Sequence, residues 1–273
     1  MASKSDPLGD RMKAYERRET EHRFMRFAPV IARMDGRGFR KWTAGLTRPY
    51  DENLSKVMIE VTRSLVAETG ARVGYTQSDE ITLVIMVDEI NQSLMFDGKA
   101  QKLCSSLASA TTSLFIRHCI LKGGEELAKR ALKDPRFDAR VFQVPNREEA
   151  ANAVLWREQD ASRNAVSMAA RSLHPHGELQ GRNGREMQEM ILQKGQAFDD
   201  YPSFFRRGSF LQARERVEPL PEDVRARLGI DADHEQAVVT RRSIERIEMP
   251  SFSSVINRVE VIFEGLEPEV ASD

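Results

Sequence analysis

The sequence has little of several features that would define its class. Its only two cysteines, Cys104 and Cys119, fall in one predicted helix, which excludes a disulfide framework and a zinc site built from cysteines alone. It has no apolar run of about 18 residues to span a bilayer, and the charged opening segment MASKSDPLGDRMKAYERRETEHRF is unlike a secretory signal. We therefore expect a cytoplasmic protein that does not associate with a membrane.

The sequence also lacks an excess of charge of one sign. Lys plus Arg (41) nearly balances Asp plus Glu (42), so the formal net charge is −1 and a polyanion would have to bind at a local patch. Internal repeats are absent, as is the GxxxxGK[ST] pattern of a P-loop. With 40% hydrophobic residues, the chain can nevertheless bury a large core.

The hydrophobic pattern of the first half predicts an α+β fold. Its elements follow the order βαββαβ, which is typical of a ferredoxin-like antiparallel sheet with two helices on one face. The predicted strands cover 27–35, a hairpin over 71–87, and 139–145, and the predicted helices cover 51–70 and 98–121. Residues 1–145 are expected to form this core.

Residues 146–273 are expected to add helices and a C-terminal extension that pack on the core, in the same structural domain. Helices are predicted from Asn146 through ANAVLWREQDASRNAVSMAARSL, over GREMQEMILQKG and over PEDVRARLG. The segment FDDYPSFFRRGSF is predicted to be a loop, and NRVEVIFEG, which alternates, to be a strand. Trp42 and Trp156 are expected to be buried or semi-buried anchors.

Two carboxylates are expected to meet at one edge of the sheet. Asp35 ends the first strand, and Asp79, followed by Glu80, lies at the bend of the hairpin that neighbours that strand. Oxygen ligands of this kind suit Mg²⁺, and paired metals can stabilise the attacking and leaving oxygens of a phosphoryl transfer. The alternative is that these acids are ordinary turn and loop residues.

The segment GRGF directly after Asp35 favours the metal interpretation. Its glycines let backbone amides approach a polyphosphate, and Arg37, Arg40 and Lys41 add positive charge beside it. Alone, GRGF is weak evidence; combined with QSDE it indicates a site for a nucleoside triphosphate.

Five blocks then resemble a known family. RMDGRGFRKW, RPYD, GYTQSDE, WREQDASRN and FFRRGS, in that order, are similar to the tRNA-His guanylyltransferases, 3′-to-5′ nucleotide-adding enzymes with a polymerase-type palm. The resemblance implies a nucleotidyltransferase that extends the 5′ end of tRNA. In that reaction an NTP such as ATP or GTP activates a 5′-monophosphate, and the 3′-hydroxyl of an incoming NTP attacks the activated phosphorus. The resemblance further implies two Mg²⁺ ions and a homo-oligomer, a tetramer.

The resemblance also implies residue roles by position. The implied metal ligands are Asp35, Asp79 and the backbone carbonyl of Gly36, and Glu80 is the neighbouring catalytic carboxylate. The implied nucleotide-binding residues are Gly36, Arg37, Gly38, Phe39, Arg48 and Ser78. The implied RNA-binding residues are Asn164, Arg206 and Arg207. From the residues themselves, the arginines beside Phe204 and Phe205 fit RNA contact and a solvated face equally well.

One segment departs from the family pattern. SRNAVSM, from Ser162 to Met168, stands where tRNA-His-selective members carry H-I-N-N-L-Y-N. This resembles the guanylyltransferase-like branch, which restores truncated 5′ ends by templated addition, so we expect no strict selection of tRNA-His. Two other classes stay open: a nucleotidyl cyclase with the same type of palm, and an RNA-binding protein without catalysis.

Overall fold

The architecture is taken from a computed structural model that describes residues 6–229 and 237–271. Six strands form one antiparallel sheet in the order β4-β1-β3-β2-β5-β6. The strands are β1 (Val30–Gly36), β2 (Val73–Gln77), β3 (Glu80–Ile85), β4 (Phe137–Gln143), β5 (Ser209–Pro219) and β6 (Val238–Ile247). The first four have the spatial order of a split βαβ fold, so the predicted α+β class is confirmed.

Helices cover both faces of this sheet. The longer ones are α1 (Pro7–Thr20), α3 (Glu52–Thr69), α4 (Ala100–Lys122), α5 (Gly124–Ala131), α6 (Arg147–Leu173) and α8 (Gly184–Gln193). The short ones are α2 (Phe39–Trp42), α7 (His176–Leu179), α9 (Ser203–Arg206), α10 (Glu222–Leu228) and α11 (Arg258–Glu264). Within the described ranges, every helix is too short or too polar to cross a bilayer.

The alternation of β1 divides the core into two layers. Val30 and Met34 lie in the cluster that α3 and α4 cover, whereas Ile31 lies in the cluster that α6 and α11 cover. Each of these three side chains is at most 2% exposed. Full burial of such a side chain contributes about 2 kcal/mol, so the pattern of β1 fixes which residues face which helices.

Local signals set the ends of α3 as the sequence predicts. The Asp51 side chain accepts a hydrogen bond from the Leu54 backbone N–H at 2.9 Å, and Gly70 ends the helix with φ of 64°. Asn146 caps α6 in the same way, accepting from the Glu149 N–H at 2.8 Å.

Two predictions for the C-terminal part are wrong. NRVEVIFEG contains the helix α11 rather than a strand, and this helix packs against α6 with Val261, Ile262 and Phe263 buried. The apolar alternation is thus overridden by tertiary packing. FDDYPSFFRRGSF holds a 3₁₀ turn, the helix α9 and the start of β5 instead of a loop. The helix predicted over PEDVRARLG is confirmed as α10.

Candidate active site

The strand register places carboxylates side by side at one end of the sheet. Asp35 on β1 lies opposite Glu80 on β3 and Asp138 on β4. Directly opposed residues of antiparallel strands present their side chains on the same face, so all three project toward the side that α6 covers. The expected convergence of the first strand and the hairpin is therefore present.

The hairpin bend delivers Asp79 to the same place. Gln77 pairs with Glu80, which leaves Ser78 and Asp79 as the bend, and Ser78 adopts the left-handed region with φ of 54°. The Ser78 hydroxyl donates to Asp79 Oδ1 at 3.0 Å. The Gly36 N–H donates to the Asp79 backbone carbonyl at 3.1 Å, which ties the end of β1 to the bend.

Gly36 is required by space rather than by its backbone angle. A Cβ at this position would lie 2.4 Å from the Phe39 ring and 2.8 Å from Asp79 Oδ2. The Asp79 carboxylate therefore rests directly against the backbone of Gly36, and only glycine permits this approach.

Asp79 is held in an environment that disfavours its charge. Burial raises the pKa of Asp79 to about 6, the Ser78 hydrogen bond partly opposes this rise, and the charge of Asp35 adds to it. Among the described residues, neither Asp35 nor Asp79 forms an ion pair with a basic side chain. A bound cation would relieve this repulsion.

Glu80 differs from the other two acids because it already has a cationic partner. Arg157 Nε donates to Glu80 Oε1 at 2.6 Å and Arg157 Nη2 donates to Oε2 at 2.8 Å, a bidentate pair with side chains only 13% and 18% exposed. Arg157 Nη2 also donates to Asp160 at 3.1 Å. The Glu80 carboxylate is thus oriented by Arg157, and each of its oxygens already accepts one hydrogen bond.

The acids fit a magnesium ion that is shared with a substrate. The described residues hold no cluster of three or more Asp, Glu, His or Cys side chains arranged around a metal position. Mg²⁺ commonly takes only one or two carboxylates and completes its shell with water and substrate phosphates. Asp35, Asp79 and the Gly36 carbonyl match that donor set, and the orphaned charge of the buried Asp79 favours a cation there.

A basic cleft of about 900 Å³ opens beside Asp79. Of the nucleotide-binding residues implied by resemblance, Phe39, Arg48 and Ser78 line it. Phe39 is 3% exposed and packs against Trp42 and Phe115 with ring centroids 5.2 and 5.3 Å away, so it anchors the loop. Arg37 and Gly38 are exposed, and the Arg37 N–H donates to the Arg136 carbonyl at 2.8 Å.

Sequence reasoning missed two residues that line this cleft, the cation Arg171 and the imidazole of His176. Asn164, Met168 and Arg171 follow one another at spacings of four and three on α6, which indicates a shared helix face but not what lies opposite. His174 lines the cleft too, although its ring nitrogens lie 3.0 Å from a Glu178 carboxylate oxygen and 3.1 Å from the Met190 carbonyl.

The implied RNA-binding residues are dispersed. Asn164 is exposed on α6, with its Nδ2 3.4 Å from Asp160 Oδ2. Arg206 donates to Asp199 at 2.5 Å and its side chain is only 19% exposed, so its charge is already paired. Arg207 lines a separate cleft at the start of β5.

Trp156 is not the anchor that we expected from the sequence. It is 52% exposed, and the guanidinium carbons of Arg157 and Arg33 lie 4.6 and 5.8 Å from its ring centroid. Trp42, by contrast, is 8% exposed, as predicted, and its indole N–H donates to the Arg130 carbonyl at 3.1 Å.

Comparisons with known proteins show which family this chain resembles. Residues 9–145 match the model of the tRNAHis guanylyltransferase family. A probable tRNA(His) guanylyltransferase of Drosophila melanogaster is 24% identical over 218 residues, which is 71% of this chain and 73% of the relative.

Solved structures are similar over almost the whole chain. A bacterial tRNA(His) guanylyltransferase-like protein in complex with ATP superposes with a TM-score of 0.76 at 29% identity, covering 94% of this chain and 97% of that one. A structure of a protein of the same description in complex with GTP gives a TM-score of 0.69, also at 29% identity, and covers 91% and 94%.

Proposed function

The chain belongs to the tRNAHis guanylyltransferase family and is a nucleotidyltransferase, and we propose that it adds nucleotides in the 3′-to-5′ direction to the 5′ end of tRNA. The proposed substrates are a tRNA and ATP, GTP or another NTP. The 5′-monophosphate first attacks the α-phosphorus of an NTP and displaces pyrophosphate. The 3′-hydroxyl of the incoming NTP then attacks the activated 5′ phosphorus and displaces the nucleoside monophosphate.

The convergence of Asp35 and Asp79 against the backbone of Gly36 carries this proposal. These two carboxylates and the Gly36 carbonyl would hold Mg²⁺, two ions during the reaction, which would neutralise charge on the phosphates. The chain itself supplies a fixed donor set, because the bend and the end of β1 are joined by the Gly36 to Asp79 hydrogen bond. Glu80 acts as a positioning residue through its pair with Arg157.

The cationic side of the cleft is assigned to the triphosphate. Arg48, Arg40 and Arg171 lie on the cleft that contains Asp79, so their charges can offset those of the phosphate oxygens. Phosphoryl transfer depends chiefly on positioning and charge neutralisation and needs no covalent nucleophile from the protein. The described residues of the cleft provide both functions.

Substrate choice is proposed to follow base pairing rather than tRNA identity. SRNAVSM replaces the segment typical of tRNA-His-selective members, and Ser162 within it donates its hydroxyl to the Arg206 carbonyl at 2.9 Å. That side chain therefore serves the packing of α6 against α9. Watson-Crick pairing with the opposing strand would then select the nucleotide, while the protein grips the tRNA backbone. We also propose the cytoplasmic homotetramer that the family resemblance implies.

The test incubates the protein with NTP and Mg²⁺, in the presence and in the absence of a 5′-truncated tRNA, and measures nucleotide addition to the tRNA and any product formed from NTP alone. Asp35→Asn and Asp79→Asn should each lower the rate at least about 100-fold, as loss of a group that neutralises transition-state charge does. The control is Glu68→Gln, which removes an exposed carboxylate near the C-terminal end of α3 and should leave the rate unchanged.

Four outcomes would contradict parts of the proposal. Near-normal turnover of either Asp variant would remove the metal-site assignment. A cyclic product formed from NTP without tRNA would identify a nucleotidyl cyclase, and tRNA binding with no product would identify an RNA-binding protein. A rate that depends on the tRNA-His anticodon and ignores the template base would restore selective guanylylation.

A further inference from the structure

A second cleft, of about 630 Å³, lies where β5 begins and β6 ends. Its lining includes Ser203, Arg207, Gly208, Arg246 and Glu248. Because β2 ends at Gln77 and pairs antiparallel with β5, this cleft lies at the same end of the sheet as the Asp79 bend. We call it the Arg207–Arg246 cleft.

Arg207 is held rigidly and has an unused donor. Its backbone carbonyl accepts the Tyr75 hydroxyl at 2.9 Å, and the next residue, Gly208, has φ of 83° and no room for a Cβ, which would lie 2.7 Å from the Thr76 carbonyl. The Arg207 Nε is buried and has no hydrogen-bond partner among the residues that the structure describes. A buried donor without a partner is costly, and the positive charge of Arg207 on the cleft lining favours an anion there.

Arg246 brings a second cation to the cleft from β6. Its Nη2 lies 3.3 Å from the Ser203 hydroxyl oxygen, a single hydrogen bond that leaves most of the guanidinium donors available. Glu248 is the acid that lines the cleft with these two arginines. Glu158 is buried on the α6 side; burial raises the pKa of its carboxyl, and the hydrogen bond from the Phe252 N–H and, to a lesser extent, the charge of Arg207 partly oppose this rise.

Aromatic side chains separate this cleft from the one that contains Asp79. Tyr50 packs against Phe204 and Phe205, with ring centroids 5.3 and 5.0 Å away, and all three line the small cavity beside Ser78. The helix α9 that carries both phenylalanines therefore stands between the two groups of arginines. An extended polyanion is the class of ligand that can contact both groups of arginines at once.

We propose that the Arg207–Arg246 cleft binds a backbone phosphate of the tRNA while the 5′ end lies at Asp35 and Asp79. This inference rests on the proposed function, because it takes tRNA as the polyanion. The inference assigns a role to Arg246, a residue on β6 for which the sequence indicated no function. Arg246 thereby contributes to tRNA affinity and not to the use of NTP.

The experiment measures the Kd of a 5′-truncated tRNA by filter binding over a salt series, together with the KM for NTP. Arg246→Gln should weaken tRNA binding about tenfold near 0.1 M salt and lower the slope of log K against log salt by about one, as expected for one lost phosphate contact. The KM for NTP should stay at the wild-type value. Arg246→Lys, which keeps the charge, should keep the slope.

The matched control is Arg242→Gln. Arg242 is an exposed arginine on the same strand and the same face, four residues before Arg246, and it does not line the cleft. Its loss should leave the Kd unchanged. Equal weakening by Arg242→Gln and Arg246→Gln, or a raised KM for NTP with unchanged tRNA binding, would overturn the inference. Wild-type protein that fails to bind tRNA would overturn the proposed function, and this inference with it.

Discussion

Replacing Asp79 by Asn should make the metal-free protein more stable while it abolishes activity. Burial and the neighbouring Asp35 raise the pKa of Asp79 from 3.8 to about 6, and a rise of about two pKa units corresponds to about 3 kcal/mol. The free energy of unfolding falls by about this amount when the native Asp79 carboxyl ionises. An Asn side chain has the same shape, can still accept the Ser78 hydrogen bond and carries no charge.

The effect has a defined pH dependence. Because the pKa is raised in the native state, wild type has the full stability below about pH 4 and loses it as pH rises through 6. Asp79→Asn should therefore gain about 1–3 kcal/mol in the free energy of unfolding at pH 8, and only a few tenths near pH 4. Urea unfolding in EDTA at both pH values measures this. A variant that is less stable than wild type at pH 8, or a gain of equal size at both pH values, would refute the reasoning.

Two further predictions concern neighbouring charges. Glu80→Gln should lower the free energy of urea unfolding by about 2–4 kcal/mol, because it breaks a mostly buried pair with Arg157. Glu125→Gln removes one partner of an exposed pair on α5 and should lower it by less than about 1 kcal/mol. Equal losses in the two variants would contradict this prediction. Arg48→Ala should raise the KM for NTP about tenfold, whereas Arg37→Ala should raise it distinctly less, because Arg37 does not line the cleft. Steady-state kinetics measures both values, and equal rises would count against the assigned cleft.

The palm and its carboxylates could be predicted because their signals are local. Asp51 and Gly70 mark the ends of α3 within the sequence itself, and β1 and the hairpin carry clear apolar patterns. Once the βαββαβ order is known, the sheet order makes β1 and β3 neighbours, so the meeting of Asp35 with Asp79 follows from topology.

The parts that could not be predicted depend on distant partners. In β5, Arg214 and Glu215 interrupt any apolar alternation. This strand forms only three residue pairs with β2, which lies more than 100 residues earlier in the chain, and its remaining residues pair with β6 alone. Arg171 and Arg246 reach their clefts only through tertiary packing. Periodicity shows which helix or strand face a residue is on, but it does not show what that face meets.

The register of β1 also protects the chain against a plausible folding error. Shifting β1 by one residue between β3 and β4 would move Arg33 and Asp35 beneath α3 and α4 and turn Met34 toward the layer of α6 and α11. Burying an unpaired charge costs several kcal/mol, so the shifted pairing is strongly disfavoured. The same alternation that builds the core thus disfavours a misfolded form in which Asp35 no longer lies beside the Asp79 bend.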